Sequence, residues 1–264
     1  MGKPIDSNNS IGYCIKNISN AACKDINKQG INFIRTGTTW RNIEKEKGEY
    51  NWTRLDSIVD ISKKNNLQIL LLIGYGNPIY LDENLLSTDV IGNSRIITQD
   101  IFKPYKKFLK RLIKRYKNDI NHFEIWNEPD LENYWNGSKD DYIKLLRLSY
   151  KTIKRIHPES TILNGGISGK NLIEWYDLLI DKCSDCFDIF NFHLYKHCNK
   201  KRGFYKDYIS GIEQISSLSI KKLWLTETGL TNKQIESKSC GGYNEIIQTH
   251  EIIRRLLINK HFGI

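Results

Sequence analysis

The chain has 264 residues, a length that suits one large domain and matches the roughly 250 residues of a single α/β barrel. Its 39% hydrophobic and 11% aromatic residues exclude a disordered chain, and its longest apolar run, residues 69–73, is too short to span a membrane. The net charge of +10 indicates either a basic face that attracts an acidic polymer or lysines dispersed over solvated helix faces. No recognised nucleic-acid-binding motif accompanies this charge, so we expect no nucleic acid partner.

Strands alternate with helices along the whole chain. Apolar runs predict strands at residues 11–15, 32–36, 68–74, 122–129, 161–166, 187–195 and 222–229. Helical periodicity predicts helices in a segment ending near residue 30 and at residues 56–65, 98–117, 141–156, 171–182, 210–217 and 243–259. This alternation is typical of parallel strands joined by right-handed crossovers.

The predicted fold is α/β: a (β/α)8 TIM barrel in a single domain over residues 1–264. Only seven strands are found, so the barrel lacks its eighth strand and helix at the C-terminus. Either the chain is truncated or the barrel is open between its first and seventh strands, which would expose two sheet edges.

The six cysteines do not predict a metal centre. Cys183 and Cys186 have CxxC spacing, but a structural zinc site needs four convergent ligands and no second CxxC pair exists. We therefore expect no metal and no organic cofactor. Buried thiols or one disulfide are both compatible with the pattern.

Two glutamates that follow apolar strands are the candidate catalytic groups. Glu128 ends the fourth strand, directly before Pro129, and Glu227 ends the seventh strand. Strands four and seven face one another across the top of a barrel, so the two carboxylates can converge there. Cleavage of a glycosidic bond needs such a pair, although surface glutamates at two strand ends would give the same pattern.

The motifs around these glutamates resemble those of a known enzyme clan. The segments 124–129 (Glu-Ile-Trp-Asn-Glu-Pro) and 224–229 (Trp-Leu-Thr-Glu-Thr-Gly) resemble the acid/base and nucleophile strands of the clan A retaining glycoside hydrolases. Segments 33–35, 40–44, 48–52 and 75–78 are similar to family 39 members, including bacterial enzymes linked to exopolysaccharide. The resemblance implies that Glu128 is the general acid/base and that Glu227 is the nucleophile.

The resemblance also implies roles for residues around the two glutamates. Asn127 would bind the sugar 2-hydroxyl, and Tyr195 would donate a hydrogen bond to the nucleophile. Arg35 would lie beside Glu227 and keep it ionised, a role that is compatible with a buried ion pair. His193 would either line the site or be a satisfied core histidine.

Four aromatic residues are candidates for stacking on sugar rings, and each is equally compatible with packing in the core: Trp40, Tyr80, Trp126 and Trp135. Glu124 has the strand parity of Glu128 and is expected to lie deeper in the barrel, so it is given no catalytic role.

The sequence therefore predicts a retaining hydrolase that cleaves β-glycosidic bonds of an oligosaccharide or polysaccharide by double displacement. The alternative is a catalytically weak barrel that binds glycans, because clan members usually carry a sugar-stacking aromatic on strand eight. Sugar, linkage, endo or exo action and oligomeric state stay open. Residues 1–10 are polar and contain no signal peptide; we expect an extracellular or periplasmic protein whose leader is absent from this sequence, with the cytoplasm as the alternative.

Overall fold

Seven strands form one curved sheet, in the order in which they occur along the chain. The computed structural model describes residues 11–81, 99–135, 137–195, 206–229 and 245–264. The strands are β1 (Gly12–Cys14), β2 (Phe33–Thr39), β3 (Gln68–Gly74), β4 (His122–Asn127), β5 (Thr161–Ser168), β6 (Ile189–His193) and β7 (Lys222–Glu227). Every neighbouring pair is parallel, as in the wall of a β/α barrel.

Helices connect consecutive strands, and one more follows the last strand. They are α1 (Asn20–Lys28), α2 (Trp40–Ile43), α3 (Thr53–Lys64), α4 (Gln99–Tyr116), α5 (Lys139–Ile156), α6 (Leu172–Cys183), α7 (Lys206–Leu218) and α8 (Glu245–His261). The predicted alternation is confirmed, with ends that differ by at most four residues. Among the described elements, the four-residue α2 and two short 3-10 helices, Pro78–Tyr80 and Ser184–Cys186, are additional. Residues 98 and 243, where two helices were predicted to begin, lie outside the described residues. Within the described ranges, no eighth strand follows β7.

Local sequence explains why these elements form. The strand β3 is apolar along almost its whole length because it is covered on both faces, by the barrel interior and by helices. The helix α5 begins with a capping box, in which Ser138 and Asp141 satisfy each other's backbone amides. The helix α4 buries one apolar stripe, which includes Tyr105, Phe108 and Leu112, and turns its lysines to solvent.

The barrel interior is filled by side chains from opposite strands. Trp224 of β7 packs edge-on against Phe33 of β2, with ring centroids 5.6 Å apart, and stacks on His122 of β4. At the open side, the Cys14 thiol of β1 donates a hydrogen bond to the carbonyl oxygen of Thr226 in β7, at 3.2 Å. The sheet therefore curls until its first and last strands are in contact near their carboxyl ends, where β2, β4 and β7 present their last side chains to one another.

Among the described helices, none combines the length and the apolar character needed to cross a bilayer.

Candidate active site

One arginine joins three strands at the carboxyl end of the sheet. Arg35 of β2 donates from Nε and Nη2 to the two carboxylate oxygens of Glu124, at 2.6 and 2.9 Å. Its Nη1 donates to Glu227 Oε2 and its Nη2 to Asn127 Oδ1, both at 2.9 Å. Burial lowers the pKa of Arg35, but Glu124 outweighs this and the pKa lies above its usual value. A permanent cation is therefore fixed between β4 and β7.

The carboxylate of Glu227 is held in its ionised form. The Tyr195 hydroxyl donates a hydrogen bond to Oε1, and Arg35 donates to Oε2. Burial raises the pKa of Glu227, but His193, Tyr195 and Arg35 together lower it by a larger amount. The pKa of Glu227 therefore lies below its usual range. Burial and the neighbouring carboxylate raise the pKa of Tyr195, which keeps its hydroxyl protonated as a donor. With 32% of its side chain exposed, Glu227 is an accessible anion.

Glu128 shares a buried histidine with Glu227. The Nδ1 atom of His193 lies 2.9 Å from Glu128 Oε1 and 3.7 Å from Glu227 Oε2. These two oxygens can therefore be no farther apart than the sum of those distances. The two catalytic carboxyl groups lie roughly 6.5–9.5 Å apart in inverting glycosidases and about 5–5.5 Å apart in retaining ones. The upper limit found here reaches only the short end of the inverting range, whereas the whole retaining range lies below it.

The backbone at the end of β4 turns two neighbouring side chains toward the same site. Trp126 and Glu128 have φ of 75° and 45°, in the left-handed region that residues other than glycine rarely adopt. Trp126 consequently leaves the barrel interior and packs edge-on against Trp135, while Asn127 and Glu128 face the arginine and the histidine. The amide of Glu128 donates to the Gly166 carbonyl oxygen at 3.1 Å, which ties this turn to β5.

Asn127 presents its amide donors away from Arg35. Its Oδ1 accepts from Arg35 Nη2, so Nδ2 is directed to the opposite side of the amide group. Within the described part of the chain, no group accepts a hydrogen bond from that nitrogen. The donor is thus available to a bound molecule beside Glu128.

The structure buries three of the residues that were candidates for substrate binding. Trp40 is fully buried, with its ring stacked between Tyr80 and Phe108, and Trp135 is 5% exposed, so neither can stack on a sugar. His193 has no exposed side-chain surface, and its Nδ1 contacts Glu128 and Glu227, so in this structure it supports the two carboxylates.

Tyr80 is also occupied by the protein. One face of its ring stacks on Trp40, and its hydroxyl donates to Glu44 Oε1 at 2.7 Å. Trp126, the fourth aromatic candidate, is fully buried. The predicted aromatic residues therefore serve mainly as packing between the barrel and its outer helices.

Two residues near the site were given no role by the sequence. Glu124, fully buried, receives two hydrogen bonds from Arg35 and one from the Gly166 amide, and thereby fixes the direction of the guanidinium group. Tyr134 stacks on Tyr75, and the pKa of each phenol is raised by burial and also by Glu128. From the sequence, strand parity indicates that Glu124 faces the barrel interior. Its pairing with Arg35 becomes apparent only in the structure.

Within the described ranges, no cluster of three or more His, Cys, Asp or Glu side chains is arranged to hold a metal ion. The cysteines described there are all free: Cys14, Cys23, Cys183 and Cys186. Cys198 and Cys240 lie outside the described residues.

Comparison with known proteins identifies relatives of this chain. A family model described as cellulase, glycosyl hydrolase family 5, matches residues 2–253. A β-xylosidase from Geobacillus stearothermophilus is 26% identical over 156 residues, 52% of this chain and 28% of that protein. A β-xylosidase from Caldicellulosiruptor saccharolyticus is 32% identical over 83 residues, 30% of this chain and 16% of that protein. The matched regions thus span less than a third of either relative.

Solved structures share the fold over nearly the whole chain. A family 39 glycoside hydrolase from Bacteroides cellulosilyticus WH2 superposes with a TM-score of 0.72 and 22% identity, covering 98% of this chain and 56% of that one. A monomeric β-xylosidase from Caulobacter crescentus CB15 gives a TM-score of 0.71 and 14% identity, covering 98% and 59%. At these identities the structures establish the fold, and they confirm the predicted β/α barrel.

Proposed function

This chain belongs to the cellulase family, glycosyl hydrolase family 5, and from that premise we propose that it hydrolyses β-glycosidic bonds with retention of configuration. The observation that carries the proposal is the convergence of Glu128 and Glu227 on one buried nitrogen of His193, at 2.9 and 3.7 Å. The upper limit that these two distances set on the separation of the carboxylate oxygens is compatible with the about 5–5.5 Å of retaining glycosidases, which act by double displacement.

In the first step, Glu227 attacks the anomeric carbon of the bound sugar. Its lowered pKa keeps it ionised, and Arg35 and Tyr195 hold its two oxygens in a fixed orientation. Glu128 donates its proton to the leaving glycosidic oxygen as the bond to the anomeric carbon breaks. The products of this step are a glycosyl ester on Glu227 and a free aglycone.

In the second step, Glu128 removes a proton from a water molecule that attacks the anomeric carbon. The ester bond breaks, Glu227 leaves as a carboxylate, and the sugar retains its β configuration. The available amide donor of Asn127 supports a hydrogen bond to the sugar 2-hydroxyl, a contact that strengthens as charge develops on the ring. No metal or organic cofactor takes part in these steps.

The proposed substrates are β-linked oligosaccharides or polysaccharides. Both curated relatives are named β-xylosidases, so aryl β-xylosides are the first substrates to test. Aryl β-glucosides and β-mannosides complete the panel, because the proposed chemistry of Glu128 and Glu227 acts on the glycosidic bond itself, which all three classes share.

The experiment is the hydrolysis of this panel, followed by proton NMR of the sugar anomer that forms first. We expect the β anomer, and no turnover after Glu227→Gln. The control Glu132→Gln changes an exposed acid in the β4–α5 connection and should leave turnover intact. First formation of the α anomer would contradict double displacement. Glycan binding without turnover, unaffected by Glu227→Gln, would instead favour a barrel that only binds glycans.

A further inference from the structure

A carboxylate two residues beyond Glu128 ties the end of β4 to the loop between β5 and α6. We infer that Asp130 is a positioning residue that holds Glu128 in the backbone conformation required for proton transfer. This inference rests on the proposed glycosidase function, and it adds to it a residue that touches neither substrate nor the reacting atoms.

Asp130 receives hydrogen bonds on both of its carboxylate oxygens. Oδ1 accepts from the backbone amide of Ser168 at 3.0 Å. Oδ2 accepts from the Ser168 hydroxyl and from Asn171 Nδ2, the latter at 3.1 Å, and the same Nδ2 also lies 3.2 Å from the Asp130 carbonyl oxygen. We call these three residues the Asp130 clamp. Bonds from neutral donors to an ionised carboxylate are stronger than neutral pairs, so the clamp is a rigid link.

The opposite side of the clamp is itself well anchored. Ser168 is the last residue of β5, and Asn171 precedes the first residue of α6. Asn171 is the N-cap residue of α6, but its side chain makes no cap bond to the helix, and its Nδ2 donates to Asp130.

The clamp is positioned to restrain Glu128. Glu128 has a φ of 45°, a left-handed conformation that costs about 1–3 kcal/mol and persists only when surrounding contacts enforce it. The Glu128 carbonyl oxygen accepts from the Leu131 amide at 3.1 Å, which closes a tight turn with Asp130 inside it. The Gly166 carbonyl holds the Glu128 amide on the other side. Without the clamp, the turn can relax and rotate the carboxyl group of Glu128 away from the leaving oxygen.

This reasoning predicts a defect that depends on the leaving group. A glycoside with a poor leaving group needs a proton from Glu128, whereas a dinitrophenyl glycoside leaves without one. Misplacement of a catalytic group by about 1 Å costs on the order of a hundredfold in rate. Asp130→Ala should therefore lower kcat/KM on the order of a hundredfold for a glycoside with a poor leaving group. The kcat/KM for the dinitrophenyl glycoside, which reports the first step, should stay unchanged.

The experiment measures kcat/KM over a series of aryl glycosides of decreasing leaving-group acidity. Wild type, Asp130→Ala, Asn171→Ala and the double variant are compared with Glu128→Ala as the reference for complete loss of proton donation. Asn171→Ala opens the clamp from the opposite side with Asp130 intact, so it also provides the test if Asp130→Ala does not fold. The double variant should add little to either single change, because both remove the same link.

Asp141→Ala is the matched control. Asp141 is also a hydrogen-bonded carboxylate, but it lies in the first turn of α5, where its partners are Ser138 and Lys144 and it completes the capping box. We expect it to lower the melting temperature without changing the dependence on leaving group.

Equal losses for all leaving groups in Asp130→Ala and Asn171→Ala, or no loss in either, would overturn the positioning role. A wild type without turnover, or a Glu128→Ala variant without leaving-group dependence, would overturn the proposed function and with it the clamp.

Discussion

The replacement Arg35→Met tests whether one guanidinium holds the site together. It removes two bonds to Glu124 and one each to Glu227 and Asn127. Glu124 is fully buried, and its other described neighbours are the Gly166 amide at 3.2 Å and His193 Nε2, 3.9 Å from Oε1. The variant therefore leaves an anion in a site that water does not reach.

The expected loss follows from this isolated charge. Removing one partner of a buried ion pair typically costs about 3–5 kcal/mol, a large fraction of the roughly 5–15 kcal/mol that stabilises a folded domain.

Urea unfolding of wild type and variant, monitored by tryptophan fluorescence at pH 7, measures these free energies. The double variant Arg35→Met, Glu124→Gln removes the stranded charge and should recover about 2 kcal/mol of the loss, which is the coupling between the two residues. A loss below about 1 kcal/mol in Arg35→Met, or losses that simply add in the double variant, would refute the reasoning.

Three further changes test separate parts of the site and its surroundings. Tyr195→Phe removes a hydrogen bond that lowers the pKa of Glu227, so the acidic limb of the kcat/KM profile should move to higher pH; an unmoved limb contradicts this. Burial, with the Lys222 cation, lowers the pKa of His122 from 6.5 to about 4. Between pH 6.5 and about pH 4 the unfolded chain therefore binds more protons than the folded one, and the free energy of unfolding falls as the pH drops. Urea unfolding at several pH values should show that His122→Gln flattens this dependence of stability on pH, which amounts to on the order of 3 kcal/mol over the whole range. The same dependence in wild type and variant would show that His122 is not its cause. Trp40→Ala should lower the free energy of unfolding by about 3–5 kcal/mol and leave KM unchanged. A raised KM at unchanged stability would show instead that Trp40 binds substrate.

The order of strands and helices could be predicted because burial imposes a simple period on each element. Residues 68–74 are apolar apart from Gln68 and form β3 over the same range, since both faces of that strand are covered. The short α2 has only four residues, too few to show a helical period. The barrel therefore follows from the pattern of the chain, while its short irregular elements do not.

The site depends on departures from strand alternation that the sequence does not display. Glu227 follows Trp224 by three positions, so simple alternation directs the two side chains to opposite faces. A register shift between β6 and β7, at Phe192 and His193, lets Trp224 fill the interior while Glu227 reaches Arg35. The left-handed turn at Trp126 has the same effect in β4.

Aromatic residues illustrate the limit of composition as a guide to binding. Trp40 precedes a polar loop and could have faced a sugar, but its indole nitrogen donates to the buried carboxylate of Glu44 at 2.5 Å, which also accepts from Tyr80. Burial of a carboxylate requires such donors, and Trp40 supplies one. Which ring faces water is decided by these tertiary contacts.

Covalent trapping on Glu227 tests the central claim most directly. A 2-fluoro glycoside with a dinitrophenyl leaving group slows the second step and allows the glycosyl ester to accumulate, and peptide mass spectrometry then locates it. The proposed mechanism predicts one glycosyl group per chain, attached to Glu227. Turnover of ordinary substrate by an enzyme that forms no adduct, or an adduct on another residue, would contradict it.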